Sequence, residues 1–496
     1  MRELARPVSC ALLLAAGTVL AFSSGGFFDE PRLVAAVGAW LLVAVAAVAA
    51  ERPLPRSLPG RLALGGLAAL TALTIASIAW APLAGPALDD AQRVLLYLGF
   101  FVAGVAFLRA DRVIEPALAG GALLVVLYGM SERFLPGLVD LDQSRTAGGR
   151  LEQPITYWNA MGAVAAMGIV LCTRMAGDER RPLRLRAAAA AAAAPLGAAI
   201  YLTFSRGAIA AAATGLLVLV LLDPHRAGLR AAAVSVGTGL AAAVACGLFP
   251  WVRSTSEHGL SNDLQGLAAL ALVLLAAALA AAATLRWTAT THGDTAPPAS
   301  PRARVAAALG VVLALVLVTA AVEGSPQGSS PQPGAQTARL SSLDSMRYEY
   351  WRVALETFAD HPLAGTGSGG FRVEWLRERP ERDAAGDAHS LYLETLAELG
   401  LAGAVALIAM LAGLALSARR ALVAEPAASL GLVAMLATYL VHAALDWDWE
   451  MPAVTLPALA AAAAIVATAD RAGRGARAGS AAAPRASLVA RAADRP

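Results

Sequence analysis

Residues 341–403 read SSLDSMRYEYWRVALETFADHPLAGTGSGGFRVEWLRERPERDAAGDAHSLYLETLAELGLAG. The stretch opens polar, carries an amphipathic piece with Arg347, Tyr350 and Trp351, passes a glycine-rich turn and a charged run, and meets an apolar run at His389. On both sides the chain is dominated by apolar runs of about 20 residues. That length crosses a hydrocarbon core while every backbone group bonds within its own helix. The polar stretch therefore reads as the external working surface of a polytopic membrane protein.

Composition agrees. Of 496 residues 58% are hydrophobic, and the mean hydropathy is +0.61, more apolar surface than a soluble domain of this length uses. There is no Lys, so all 39 basic residues are Arg; with the abundant Ala this reflects a GC-rich coding sequence rather than chemistry. A net charge of +3 is too small to imply a nucleic-acid partner. Cys10, Cys172 and Cys246 sit inside apolar runs and offer neither a disulfide framework nor metal-ligand spacing.

The pattern predicts an all-α fold of about 12–14 transmembrane helices, with candidate spans near 8–24, 33–50, 62–80, 92–108, 113–134, 156–173, 187–204, 207–222, 231–250, 264–285, 305–323, 391–417, 427–445 and 452–469. A second span follows the first at once, so the first reads as an uncleaved helix rather than a signal peptide. Arg clusters such as Arg174, Arg180, Arg181, Arg184 and Arg186 fall on alternate loops, which predicts cytoplasmic termini and a large extracytoplasmic loop between the eleventh and twelfth spans. The expected division is 1–323 for the first helices, 324–390 for the loop, 391–470 for the last helices, and 471–496 for a disordered cytoplasmic tail. Residues 288–303 read as an inside linker and 324–338 as a flexible lead-in, and Ser341 or Ser342 as the cap of a helix running to about Phe358.

Several residues of the predicted external face are candidates for substrate contact. Arg145 and Arg150, then Tyr157 and Trp158, lie in the 140–162 loop, where the alternatives are an aromatic interface belt or sugar stacking and phosphate contact. The short turn TFSRGA at 203–208 puts Arg206 at a helix N-terminus, where a cation opposes the helix dipole; an anionic partner would account for it, as would snorkelling to lipid phosphates. Arg347 and Trp351 share one helical face, a pairing suited to a phosphate linked to a sugar. Helical spacing of His389 with Leu393 and Leu396 would turn the imidazole toward the bundle, and an unperturbed His suits a general base near neutral pH. Gly365, Gly367 and Gly370 match G-x-G-x-x-G formally, but no strand precedes them, so a tight turn is the reading. Asp140-Leu-Asp142 and Asp446-Trp-Asp448 are D-x-D pairs of the kind that hold a divalent metal, and are weak as a signal.

These residues together resemble the O-antigen ligase family of membrane glycosyltransferases, which includes polysaccharide polymerases. SRGA at 205–208 looks like its serine–arginine turn, RYEYWRVALETFADHPLAGTGSGGF at 347–371 like its Arg- and Trp-containing segment, and HSLYLETLAELGLAG at 389–403 like its histidine segment. QPITYWNAMG at 153–162 and HAALD at 442–446 are weaker matches. The resemblance implies metal-independent, inverting transfer of a glycan from an undecaprenyl-pyrophosphate carrier to an acceptor hydroxyl, without cofactor, at the extracytoplasmic face of the plasma membrane. By motif position it implies His389 as the base and Arg206 and Arg347 as pyrophosphate ligands. Ser390 departs from the Asn common after the histidine. The competing readings are a polymerase of the same family, a transporter, and a metal-dependent transferase using a D-x-D pair; a carrier would more often place its charges near the membrane midplane.

Overall fold

The structure, a computed structural model, describes residues 2–51, 53–223, 225–255, 261–290, 300, 346–380 and 384–493. Among them no strand occurs, and eleven helices are long and apolar enough to cross a membrane. In chain order the helices are α1 (Arg2–Ala21), α2 (Asp29–Ala49), α3 (Leu58–Ser77), α4 (Ala84–Phe107), α5 (Ile114–Phe134), α6 (Trp158–Gly177), α7 (Leu183–Leu202), α8 (Arg206–Leu222), α9 (Arg226–Gly247), α10 (Pro250–Arg253) and α11 (Asn262–Thr290). Then come α12 (Arg347–Asp360), α13 (Phe371–Glu378), α14 (Leu391–Ala424), α15 (Pro426–His442) and α16 (Pro452–Ala493).

Thirteen of the expected spans each coincide with one of these helices, counting the shorter apolar α8 and α15. The expected span at 305–323, the 324–338 lead-in and the Ser341 or Ser342 cap lie outside the described residues. Most of the 288–303 linker lies outside them too.

Composition sorts the helices by depth. The best hydrophobic window of α6 is wholly buried and that of α16 is 94% buried, while that of α2 is only 17% buried. On α2, Val34, Val37, Leu41 and Val45 are exposed, a face that lipid rather than water must cover. In lipid the hydrophobic effect gives helices little reason to associate, so close contact comes from small residues. A Cβ on Gly66 of α3 would lie 2.3 Å from Met410 N of α14, and one on Gly413 of α14 would lie 2.2 Å from Ala63 N. The two backbones therefore touch where only glycine fits.

The bundle has two chemically different ends. At one, buried Arg174 and Arg181 meet Asp178, Glu115 and Asp223. Arg181 also donates to Arg112 O at 2.8 Å, and Asp470 accepts from the backbone of Arg56 and Ser57 at 2.7 and 2.8 Å. At the other end the 151–157 segment, the turn before α8, α12, α13 and the 443–451 turn come together. Leu151 N–H donates to Leu202 O at 2.9 Å, and Leu391 N–H donates to Ala443 O at 2.9 Å. This second end carries every residue that the motifs single out.

Candidate active site

His389 does not continue α14. It lies two residues before the helix, with φ +53°, and Ser390 occupies the N-cap. The helical spacing expected for His389, Leu393 and Leu396 therefore does not apply. The ring instead meets Tyr350 of α12 and Trp447 of the 443–451 turn. Non-glycine residues reach the left-handed region rarely and are held there by their surroundings. The holding contacts are visible: Ala388 N–H donates to Glu394 Oε2 at 3.0 Å, and the His389 Nδ1 lies 3.2 Å from Asp387 O. A carbonyl can only accept, so Nδ1 carries the proton there and Nε2 of the neutral ring keeps its lone pair.

The half-buried imidazole sits between two aromatic rings. Tyr350 of α12 lies 4.9 Å from it, centroid to centroid, and Trp447 lies 6.3 Å away. Trp447 in turn packs on Tyr157 at 4.5 Å. Tyr157 Oη donates to Asp446 Oδ1 at 2.6 Å, and Asp446 Oδ2 pairs with Arg347. Arg347 is one helical turn from Tyr350, so the chain of contacts closes on itself: His389, Tyr350, Arg347, Asp446, Tyr157, Trp447, His389. Tyr350, Val353 and Ala354 are buried against Phe371, Trp375 and Ala388, forming a small core that carries α12 and α13 under the site. Along α12, Tyr350 and Val353 are buried and Phe358 is half-buried, as is Met346 just before the helix.

Electrostatics follow from this burial. Burial is the largest influence on the Asp446 carboxyl and pushes it up, but the Arg347 guanidinium, together with His389, His442 and the Tyr157 hydrogen bond, outweighs it and holds Asp446 below its usual value. Burial likewise opposes the charge on Arg347, and Asp446, with Tyr157 and Asp448, more than restores it. Burial and then the Asp446 charge push Tyr157 well above the usual phenol value, so its hydroxyl stays a donor.

Arg206 starts α8, with Ser205 at the cap accepting from Ala208 N–H at 3.2 Å. Its neighbour Gly207 faces the 442–448 turn: a Cβ there would lie 3.4 Å from His442 Nε2 and 3.7 Å from Leu445 Cβ. The same turn thus meets the first turn of α8 through His442 and Leu445, and presents Asp446 to Arg347. Both carboxylates of the Asp446–Asp448 pair have partners of their own. Asp448 Oδ2 lies 2.5 Å from buried His442 Nδ1, so the pair is not aimed at one ion.

A different set of carboxylates has the spacing of a cation site. One oxygen each of Asp387, Glu394 and Glu450 lie within 4.8 Å of one another. Arg93 supplies a cation beside them, 3.7 Å from Glu450 and 2.6 Å from Asp90. Burial and the Asp387 charge push Glu450 well above the usual carboxyl value, and burial raises Asp387.

The glycine-rich turn is a tight turn, as its residues suggest, with Gly365, Gly367 and Gly369 at φ +65°, +89° and +70°. It docks on a break in α14 at Gly400, where φ is +58° and ψ −154°. The break frees the Ala397 and Glu398 carbonyls, which accept from Thr366 and Gly367 N–H at 3.1 and 2.8 Å. Glu398 Oε1 accepts from Phe371 N–H at 3.1 Å. The two acids inside the expected twelfth span thus act as anchors for the loop.

The remaining candidates are spread more widely. Arg150 is buried, donates to Ala147 and Thr146 carbonyls at 2.6 and 2.8 Å, and lies 3.4 Å over the Trp158 ring, so it staples its own loop. Trp158 packs on Tyr157 at 4.9 Å. Arg145 is exposed and lines a large open cavity with Asp140, Gln143, Trp251 and Asp263, whose lining shares no residue with the ring of contacts around His389. Trp351 packs edge-on to Tyr348 at 5.7 Å, and its Nε1 has no hydrogen-bond partner among the described residues. Trp447 is the addition that the structure makes. Asp446 and His442 lie in the HAALD segment and Glu394 is an acid inside an apolar run, so each is visible in the sequence, but none of these signals names a partner, and the D-x-D spacing at Asp446 suggests a metal rather than a guanidinium.

Residues 260–408 match the family model described as O-antigen ligase. The matched segment contains Arg347 and His389 and is the one whose motifs resemble that family; Arg206 precedes it. The match supports a membrane function of O-antigen ligase or polymerase type. No curated protein matches the chain.

Proposed function

Starting from the O-antigen ligase match over residues 260–408, we propose that this protein transfers a glycan from an undecaprenyl-pyrophosphate carrier to an acceptor hydroxyl at the extracytoplasmic face of the plasma membrane. The observation that carries the reading is the fixed pose of His389, with its Nδ1 on a carbonyl, one contact away from the Arg347 helix.

In this reading the acceptor oxygen attacks the anomeric carbon from the face opposite the carrier. The bond from that carbon to the pyrophosphate oxygen breaks, and the configuration inverts. His389 Nε2 takes the acceptor's proton as the new bond forms. The carrier leaves as a pyrophosphate anion, and the Arg206 and Arg347 guanidiniums stabilise the charge it gains. Asp446 acts on Arg347 rather than on substrate: by gripping one edge of the guanidinium it fixes the direction of the fork. Trp447, half-buried beside His389 and backed by Tyr157, offers the kind of ring that suits a sugar. In this proposal the transfer needs no divalent metal at the Asp446–Asp448 pair, because Asp446 serves Arg347 and Asp448 serves His442.

The test is release of labelled glycan from its undecaprenyl-pyrophosphate carrier by purified protein, in chelator, with membrane extract as acceptor source. Wild type is expected to turn over and His389→Ala to lose about a thousandfold or more, the scale of a general base. Equal turnover in both would remove His389 as the base, and loss of all turnover in chelator would favour a metal-dependent transferase. A product in which carrier-linked glycan grows on itself would identify the polymerase of the family.

A further inference from the structure

His442 ends α15 and is fully buried. Its Nδ1 is satisfied by Asp448 at 2.5 Å, but its Nε2 has no hydrogen-bond partner among the described residues. A buried ring nitrogen left alone is costly and calls for a partner. Nε2 is aimed at the first turn of α8, where a Cβ on Gly207 would lie 3.4 Å from it. That turn is a helix N-terminus with partial positive charge; Ser205 takes the Ala208 and Ile209 N–H groups, and the turn starts with Arg206. An imidazolium–carboxylate pair with Asp448 is neutral as a whole yet presents an N–H at Nε2.

We propose that His442 Nε2 donates to a phosphate oxygen held at the first turn of α8, beside Arg206. The inference rests on the carrier reading above and deepens it, adding a third donor to the two arginines. A carrier pyrophosphate and a phospholipid headgroup share this chemistry. The donor role differs from a merely structural one, in which the His442–Asp448 pair only ties down the 443–451 turn.

Two substitutions separate the roles. His442→Asn keeps an amide N–H where Nδ1 meets Asp448 and removes Nε2. His442→Gln puts an amide N–H near the Nε2 position and gives up the Asp448 bond. Inorganic pyrophosphate would be titrated by calorimetry into detergent-purified full-length wild type and both variants, with thermal unfolding run in parallel. His442→Asn is expected to weaken pyrophosphate about tenfold or more with little change in unfolding temperature, while His442→Gln stays within about threefold of wild type. Should His442→Asn not fold, Gly207→Ala is expected to weaken pyrophosphate in its place, by placing a methyl against Nε2.

Wild-type affinity retained in His442→Asn or Gly207→Ala, or no binding by wild type, would overturn the inference. Repeating the titration in phosphatidylglycerol and phosphatidylcholine nanodiscs names the occupant. Weaker binding in the anionic lipid, for wild type alone, marks a headgroup competing at this site; equal binding assigns it to the carrier. Because the readout is binding, a protein that holds pyrophosphate through His442 yet transfers no glycan keeps this inference and sinks the transfer reading.

Discussion

The ring of Tyr350 lies against the imidazole of His389, centroids 4.9 Å apart and planes tilted by 33°. This contact joins the helix that carries Arg347 to the turn that carries the proposed base, so the two are set relative to each other by one aromatic face. Tyr350→Ala should lower kcat for glycan release by about tenfold, through loss of pose rather than loss of a reacting group. Tyr350→Phe should keep most of the activity, because the ring makes the contact. Steady-state release assays on the two variants check this, and equal damage by both would refute it.

Glu394 holds the backbone of Ala388 at 3.0 Å and so helps impose the left-handed turn at His389. Glu394→Ala should cost about tenfold or more in kcat with donor KM little changed, since the loss is of orientation. Glu394→Gln retains an oxygen that can accept the same N–H and should retain most activity. A variant pair with the opposite order would mean that the charge of Glu394, not its bond to Ala388, is what the site uses.

Asp446 is buried, which raises its carboxyl, yet the Arg347 guanidinium, helped by His389, His442 and Tyr157, holds it below the usual value. A carboxyl lowered on folding contributes stability that is present above its unfolded pKa and is lost as pH falls through the folded one. The stability gap between wild type and Asp446→Asn should therefore be constant from about pH 8 to 5, near 3 kcal/mol for breaking a buried pair, and shrink only below about pH 4. Unfolding of both proteins in detergent as a function of pH measures it. A gap that closes already at neutral pH would contradict the pairing.

Gly400 breaks α14 at φ +58° and ψ −154°, a conformation that almost only glycine adopts, and a Cβ there would lie 2.5 Å from the Leu363 carbonyl carbon. Gly400→Ala should cost at least about 1–3 kcal/mol and loosen the turn that docks on Ala397 and Glu398. Gly65→Ala, with nothing within 4 Å of the added methyl, should be neutral or slightly stabilising. Thermal unfolding of the two variants side by side gives the comparison.

Much of the architecture was legible because the bilayer imposes a length and a composition on every helix. Thirteen spans could be read from apolar runs alone, and the motif residues Arg206, Arg347 and His389 could be found by local pattern. What the sequence could not supply was the partner of each. Asp446, Tyr157 and Trp447 meet Arg347 and His389 only because α6, α12, α14 and the 443–451 turn converge at one end of the bundle. His389 itself looked helical by spacing, yet its left-handed backbone is imposed by Glu394 and Asp387 through bonds that no periodicity encodes. Hydropathy is a one-dimensional property, set residue by residue against the lipid. The pairing of buried charges depends on distances across the fold, and the tertiary structure alone decided it.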